Sequence, residues 1–351
     1  MRRIIAGLAV GILAWGVAPS PARGQLFSLV HLDHLNAKLH GRVVNHTRNH
    51  GGDCRIPSPI LGRPRDLYVY LPPGYNPSVA YPLILFLHGA GVDEHDLLDP
   101  RVLKTFDGMI ASGQMPPVII AAPDGTYEGA NHIGSTHSLW VNGRGGRFED
   151  HVVGEVVPFL MNTYSIRPER QAHAILGISA GGYGAMAIAL KHRDQFGVVA
   201  TLAGPLNMRY DACPGGYHAP FDPATYRERT SYDPDMVIAR YYLGLLRRKV
   251  KKFLEPVYGT DPGMLEKISR DNPADLIRTT NLQPGELALY VHYPGRDNYN
   301  FDAQDQSFAW IAAQRGIQVD VGSFSHGRHN LRYIERAEPA AFLWLGQHIL
   351  H

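Results

Sequence analysis

The stretch Ala172-His-Ala-Ile-Leu-Gly-Ile-Ser179-Ala-Gly-Gly-Tyr-Gly-Ala-Met-Ala-Ile-Ala-Leu-Lys-His192 decides the fold. From Ala172 to Ile178 it is a mostly apolar run of strand length, the kind buried on both faces of a parallel sheet. From Ala180 to His192 it is small and apolar, suited to a helix packed closely on that sheet. Between them stands Gly177-Ile178-Ser179-Ala180-Gly181. A serine on a sharp strand-to-helix turn projects its hydroxyl above the sheet, and flanking glycines let the backbone follow that path. The helix N-terminus beside it favours negative charge. The competing reading is a glycine-rich packing turn with an idle serine.

Outward from this turn the same alternation repeats. Leu67-Tyr-Val-Tyr-Leu71, ended by Pro72-Pro73-Gly74, reads as a strand, and regular structure is expected to begin at Asp66. Tyr81 to His88 and Val118 to Ala122 are continuous apolar runs, with helix-like spacing from Leu97 to Gly113 between them. Phe148 to Tyr164 repeats apolar residues every three to four positions. Further on, strands are expected at Gly197 to Ala203, Glu286 to His292 and Ile317 to Val321. Helices are expected at Ala303 to Arg315 and Ala337 to His348. This order predicts an α/β fold with a mainly parallel central sheet and helices on both faces. Residues 205–284 break the rhythm and read as a cap-like insertion over one end of the sheet, with a helix-like piece from Met236 to Leu254. Arg247, Arg248, Lys249, Lys251 and Lys252 then read as a solvated helix end, against a patch for an anionic polymer.

The chain has 351 residues, 44% of them hydrophobic and 19% charged, which excludes a disordered chain. At this length roughly 75% of the unfolded surface can be buried, so the core needs no staples. Its two cysteines, Cys54 and Cys213, are too few for a disulfide framework or a Cys-built zinc site.

Arg2 and Arg3 precede the apolar run Ile4 to Val17, and Pro19-Ser-Pro21 and Ala22-Arg-Gly24 follow it. A basic start, a short apolar run and small residues before a cut predict a secretory signal peptide over residues 1–24, removed near Gln25. The run is shorter than the ~20 residues a spanning helix needs, which disfavours the competing reading of an uncleaved anchor. Removal takes three of the 34 basic residues and none of the 32 acidic ones, turning a formal charge of +2 into −1. The basic balance is therefore no argument for nucleic acid. The expected location is secreted or periplasmic, with no membrane span after cleavage. In an oxidising compartment Cys54 and Cys213 could pair, and the sequence leaves that bridge open. Residues 25–64 read as a polar extension in which His31, His34, His40, His46 and His50 are surface residues, not zinc ligands. Residues 65–351 read as the α/β domain.

A serine needs a base to attack a carbonyl, and the base needs an acid to orient it. In this architecture the chain order is serine, acid, histidine. The strand ending at His292 leads into Tyr293-Pro-Gly-Arg-Asp297, making Asp297 the first choice of acid ahead of Asp302 and Asp305, which fall within the next helix. The last strand leads to His326 and His329, which position alone does not separate. The oxyanion donors are expected from the amide of Ala90 or Gly91, in the loop His88-Gly-Ala-Gly91, and from Ala180 after the nucleophile. His88 reads as a brace for that loop.

Together these residues resemble the α/β-hydrolase esterases of the esterase D type. That group includes S-formylglutathione hydrolases, feruloyl and acetyl-xylan esterases, enterochelin esterases and bacterial mycolyltransferases. The resemblance runs from about Asp66 to Gln347. It rests on Leu71-Pro-Pro-Gly74, His88-Gly-Ala-Gly91, Phe148-Glu-Asp150, Gly177-Ile-Ser-Ala-Gly-Gly-Tyr-Gly184 and His329-Asn330. It implies the α/β-hydrolase fold and a serine carboxylic-ester hydrolase acting through an acyl-enzyme. The implied triad is Ser179, His329 and Asp297, with His329 preferred to His326 because the family places Gly-His-Asp or Gly-His-Asn at its histidine. Two departures stand out: Ala180 where many members carry Met, and Arg328 in place of the glycine before the histidine. No cofactor and no metal are expected. An exported member would act on feruloyl or acetyl esters of plant polysaccharide sooner than on a glutathione ester. Acyl transfer or peptide hydrolysis on the same triad, and a non-catalytic glycan-binding protein, are the rival expectations. Trp140, Asn142 and the tyrosines Tyr210, Tyr217, Tyr226 and Tyr232 read as packing residues first and pocket residues second. Glu149 and Asp150 read as favouring a helix N-terminus.

Overall fold

The computed structural model describes residues 32–127, 129, 137–241 and 246–351. The signal peptide expected at residues 1–24, and His31, lie outside them. Eight strands form one sheet: β1 (Arg42–His46), β2 (Leu67–Leu71), β3 (Leu83–Leu87), β4 (Ile119–Pro123), β5 (His173–Ile178), β6 (Val198–Leu202), β7 (Ala288–Pro294) and β8 (Asp320–Phe324). Their spatial order is β1-β2-β4-β3-β5-β6-β7-β8. β2 runs antiparallel to both β1 and β4, and every other neighbouring pair is parallel. Every residue of β2 to β6 is buried, which is why these strands carry apolar residues on both faces.

A short helix at Leu32–Asn36 precedes β1, and the α-helices that follow are α1 (Pro100–Ala111), α2 (a continuous helical run over residues 148–163), α3 (Ala180–Lys191), α4 (Lys251–Tyr258), α5 (Met264–Asp271), α6 (Pro273–Thr279), α7 (Phe301–Gln314) and α8 (Leu331–His348). Alternating strand residues divide between two cores. Leu83, Leu85 and Leu87 face a core closed by α2, α3, α6 and α7. Ile84 and Phe86 face a core closed by α1 and α8. A third cluster joins α4 and α5 to Tyr183 and Ala180 at the start of α3. The insertion is thereby packed onto the carboxyl end of the sheet, over the serine turn.

Four sequence expectations change. Regular structure begins before Asp66: Arg42–His46 pairs antiparallel with Leu67–Leu71 as the edge strand. Only Val43 in it is fully buried, so the strand carries no apolar run to read. Its entry is fixed by Asp107, whose carboxylate accepts from the His40 and Gly41 amides and the Tyr70 hydroxyl.

The helix expected from Met236 to Leu254 is instead an antiparallel hairpin, Val237–Tyr241 against Leu246–Lys249, followed by α4. On one helix Arg247/Lys251 and Arg248/Lys252 would be like-charge pairs four residues apart, which destabilise it. The hairpin separates these cations, and Lys249 and Lys251 both reach Asp235 at 2.9 Å.

The last strand lies three residues later than the apolar run suggests. Ile317 is buried in the core and Gly322 pairs with His292, because register follows β7 and not local hydrophobicity. The extension's histidines are also not all surface residues. His46 and His50 are half-buried, and their Nε2 atoms lie 2.6 and 2.8 Å from the hydroxyls of Tyr164 and Tyr68.

Cys54 and Cys213 are unpaired and exposed. The Cys54 amide donates to Thr47 O after β1, and the Cys213 amide donates to Thr225 O in the insertion.

Candidate active site

Ser179 ends β5 and caps α3 with φ 54° and ψ −116°, a strained conformation for a residue with a side chain. The turn closes because of two glycines. A Cβ on Gly177 would stand 2.1 Å from the Gly181 carbonyl oxygen, and one on Gly181 would stand 2.0 Å from that of Leu87. The Ser179 amide donates to Leu202 O at 2.8 Å, fixing the turn to β6.

Asp297 sits in the loop after β7, and its Oδ1 accepts from the Tyr299 amide at 2.7 Å. His329 directly precedes α8, whose first turn is capped by the Asn330 side chain accepting from Tyr333 N. The two loops are stitched together by Gly295 N to Phe324 O and Arg296 N to Gly327 O. The result brings three side chains into line. His329 Nδ1 lies 2.9 Å from Asp297 Oδ2, and His329 Nε2 lies 3.0 Å from Ser179 Oγ. A carboxylate can only accept, so Nδ1 carries the proton and Nε2 is left to accept from the serine hydroxyl. His326 is exposed, and its Nδ1 lies 2.9 Å from Ser325 Oγ. Asp302 and Asp305 lie on α7, as the sequence suggests. Burial first, then the charge of Asp297, pushes Asp302 up to about 6 and Asp305 well above the usual carboxylate range.

His88 braces the adjoining loop. Its Nε2 accepts from Gly125 N at 2.9 Å, so Nδ1–H donates to Gly89 O at 2.9 Å. Burial holds this imidazole below its ordinary pKa, hence neutral. Trp140 is buried beneath the loop and donates from Nε1 to His88 O at 3.1 Å, a packing role. Asn142 meets the Asp150 carboxylate, while Glu149 binds Lys191 and His192 at the far end of α3. Gly91 adopts φ 82°. Ala90 and Ala180 line the cleft above Ser179, and Ala180 opens α3, where the first amides have no partner within the helix.

That cleft holds about 620 Å³ of empty space, open mouth included. Phe253, Tyr299 and Phe301 form an aromatic wall, with the rings of Tyr299 and Phe301 edge-on to His329 at 5.2 and 5.4 Å. Met236, Ile238, Val250 and Leu254 supply an aliphatic side from the insertion. Among the described residues no Asp, Glu, Lys or Arg lines it, and burial pushes the pKa of its His137 down to about 4. Of Tyr210, Tyr217, Tyr226 and Tyr232, Tyr217 is the one that lines the cleft. The aromatic wall, Gln304 and the aliphatic side are absent from the sequence reading. The hairpin that carries the aliphatic side resembled a helix, and the other residues are ordinary helix or loop positions.

A second serine, histidine and acid also meet. Ser58 Oγ lies 2.5 Å and His151 Nδ1 2.6 Å from the same oxygen of Glu155, and the Ile60 amide holds the other at 2.8 Å. Among the described residues one grouping has the makings of a metal site, Asp93, Glu94 and His95. There the Asp93 carboxylate already accepts from His95 as a helix cap.

The profile of the putative esterase family matches residues 58–274. The chain belongs to that family. Esterase Rv1288 of Mycobacterium tuberculosis is 27% identical over 164 residues, 45% of this chain and 33% of that protein. The endo-1,4-beta-xylanase/feruloyl esterase of Xylanibacter ruminicola is 26% identical over 164 residues, 44% of this chain and 22% of that protein. The matches thus span a third or less of these curated relatives. Among solved structures, a ferulic acid esterase superposes with TM-score 0.64 at 17% identity, covering 88% of this chain and 99% of its own. An S-formylglutathione hydrolase from Agrobacterium tumefaciens does so with TM-score 0.59 at 15% identity, covering 89% and 97%. The fold is that of the α/β-hydrolases, with the mainly parallel sheet expected from the sequence.

Proposed function

We propose that this chain is a serine carboxylic-ester hydrolase working through an acyl-enzyme on Ser179. His329 Nε2 takes the hydroxyl proton as Ser179 Oγ attacks the ester carbonyl, and returns it to the departing alcohol. Asp297 holds Nδ1 protonated and stabilises the imidazolium. The amides of Ala180 and of Ala90 or Gly91 carry the charge on the carbonyl oxygen. Water, activated by the same imidazole, then releases the acid. The observation that carries this reading is the continuous hydrogen-bonded line from Asp297 through His329 to Ser179. It ends on a serine in a strained turn at the floor of a cleft. The proposed substrates are feruloyl or acetyl esters on plant polysaccharide, met outside the cytoplasm after export. The feruloyl esterase relatives support that reading, and so does a cleft lined, among the described residues, by no charged side chain.

A fluorophosphonate probe on the folded protein, followed by peptide mapping, tests the nucleophile. Labelling at Ser179, lost in Ser179→Ala, is expected; labelling elsewhere, or none, overturns the assignment. Product analysis with competing alcohols separates hydrolysis from acyl transfer.

A further inference from the structure

Among the described residues, His137 Nδ1 and Gln304 Oε1 in the cleft wall are both left without a hydrogen-bond partner, and the orientation of the Gln304 side chain is fixed by its neighbours. Tyr217 Oη lies 2.5 Å from the backbone oxygen of Tyr299, and a carbonyl can only accept. The phenol therefore spends its single hydrogen there, and its lone pair must receive from Gln304, 3.0 Å away. That forces the amide nitrogen of Gln304 toward Tyr217 and settles which end of the side chain is Oε1. Gln304 is 2% exposed, and Oε1 has no hydrogen-bond partner among the described residues. A buried amide oxygen left unpaired is costly, so such an atom is a ready acceptor for whatever donor enters the cleft.

We propose that Gln304 reads a hydroxyl group on an aromatic acyl chain seated in this cleft. The inference rests on the esterase reading above and separates the two acyl classes left open there. An acetyl group offers neither a ring to the aromatic wall nor a hydroxyl to Gln304. A flat ring packs against Phe253, Tyr299 and Phe301 in the arrangements aromatic pairs prefer. Among the described residues no charged side chain lines the cleft, so the donor expected there is a neutral hydroxyl and not an ammonium or guanidinium. A methyl ether at the same position offers no hydrogen and leaves Oε1 unpaired.

The test compares methyl cinnamate with its 3- and 4-hydroxy analogues and the matching methyl ethers. At least one hydroxylated ester is expected to exceed both cinnamate and its methyl ether by about tenfold or more in kcat/KM. Gln304→Met should abolish that preference while still turning over methyl cinnamate. Tyr217→Phe, which frees the amide to rotate, should weaken it without removing any group that meets the hydroxyl. Equal rates for hydroxy and methoxy esters, or a preference that survives Gln304→Met, overturn the proposal. The substrate comparison needs no variant, so a misfolded Gln304→Met leaves it decisive. Nitrophenyl acetate hydrolysis and probe labelling report the catalytic machinery separately. If both work without a hydroxyl preference, this inference alone falls. If neither works, the esterase reading falls, and affinities of the uncleaved esters for Ser179→Ala decide the Gln304 proposal directly.

Discussion

Ser179, His329 and Asp297 form a relay, whereas Ser58, His151 and Glu155 form a clamp, although both sets contain a serine, a histidine and a carboxylate. In the first, the imidazole stands between acid and hydroxyl, with one nitrogen donating and the other accepting. In the second, the histidine and the serine both point at the same carboxylate oxygen. Ser58 Oγ also lies 3.2 Å from His151 Nδ1, but that nitrogen donates to Glu155 and so turns no lone pair toward the serine, which is buried where the extension docks on α2. The Ser58 Oγ also accepts from Leu61 N, finishing a turn. Residue type therefore does not distinguish chemistry from tethering. Hydrogen-bond direction, backbone strain and access do.

The largest effect expected to separate them is on turnover. Ser179→Ala should lower kcat by on the order of 10⁶, and His329→Ala by a similar factor, if the three act as a unit. Ser58→Ala and His326→Ala should stay near the parent rate with the same nitrophenyl ester. A matching loss in Ser58→Ala would erase the distinction.

Next comes the acid. Asp297→Asn should cost about 10⁴ in kcat, because an amide no longer fixes the imidazole tautomer. Glu155→Gln should leave kcat unchanged while lowering stability in urea.

Acid should then weaken the clamp. Burial holds the pKa of His151 below 6.5, with Glu155 pulling the other way. The unfolded chain thus takes up the proton first, so the stability is present above about 6.5 and is lost as pH falls. His137 and His292, both pushed down to about 4 by burial, act in the same direction. Burial would raise Glu155, but hydrogen bonds from Ser58, His151 and the Ile60 amide hold it below 4.5, so its contribution also fades on acidification. The urea midpoint should be lower at pH 5.5 than at pH 7.5, and His151→Gln should narrow the gap. A midpoint that rises on acidification contradicts this account. The smallest effect is Ser58→Ala itself, about 1 kcal/mol of stability from the lost hydrogen bonds, read from the same urea curves.

Legibility in the sequence followed burial. β2 to β6 are buried on both faces and announce themselves as apolar runs. β1 has one face half in solvent and was invisible, and β8 was displaced because Ile317 belongs to the core without belonging to the ladder. The hairpin at Val237–Tyr241 was misread because apolar residues two apart on a strand can also satisfy a helical spacing when the run is short. The serine turn was legible for steric reasons: its two glycines are demanded by backbone contacts near 2 Å.

By itself the sequence determined the α/β alternation, the strained serine turn and the candidate acid and histidine loops, because these depend on local sterics and on burial of contiguous residues. Only the tertiary structure placed His329, and not His326, between Ser179 and Asp297. It also showed that Ser58 and His151 meet at Glu155, and assembled the cleft from the insertion and α7. Those outcomes depend on directions and distances between segments far apart in the chain, which periodicity and composition do not encode.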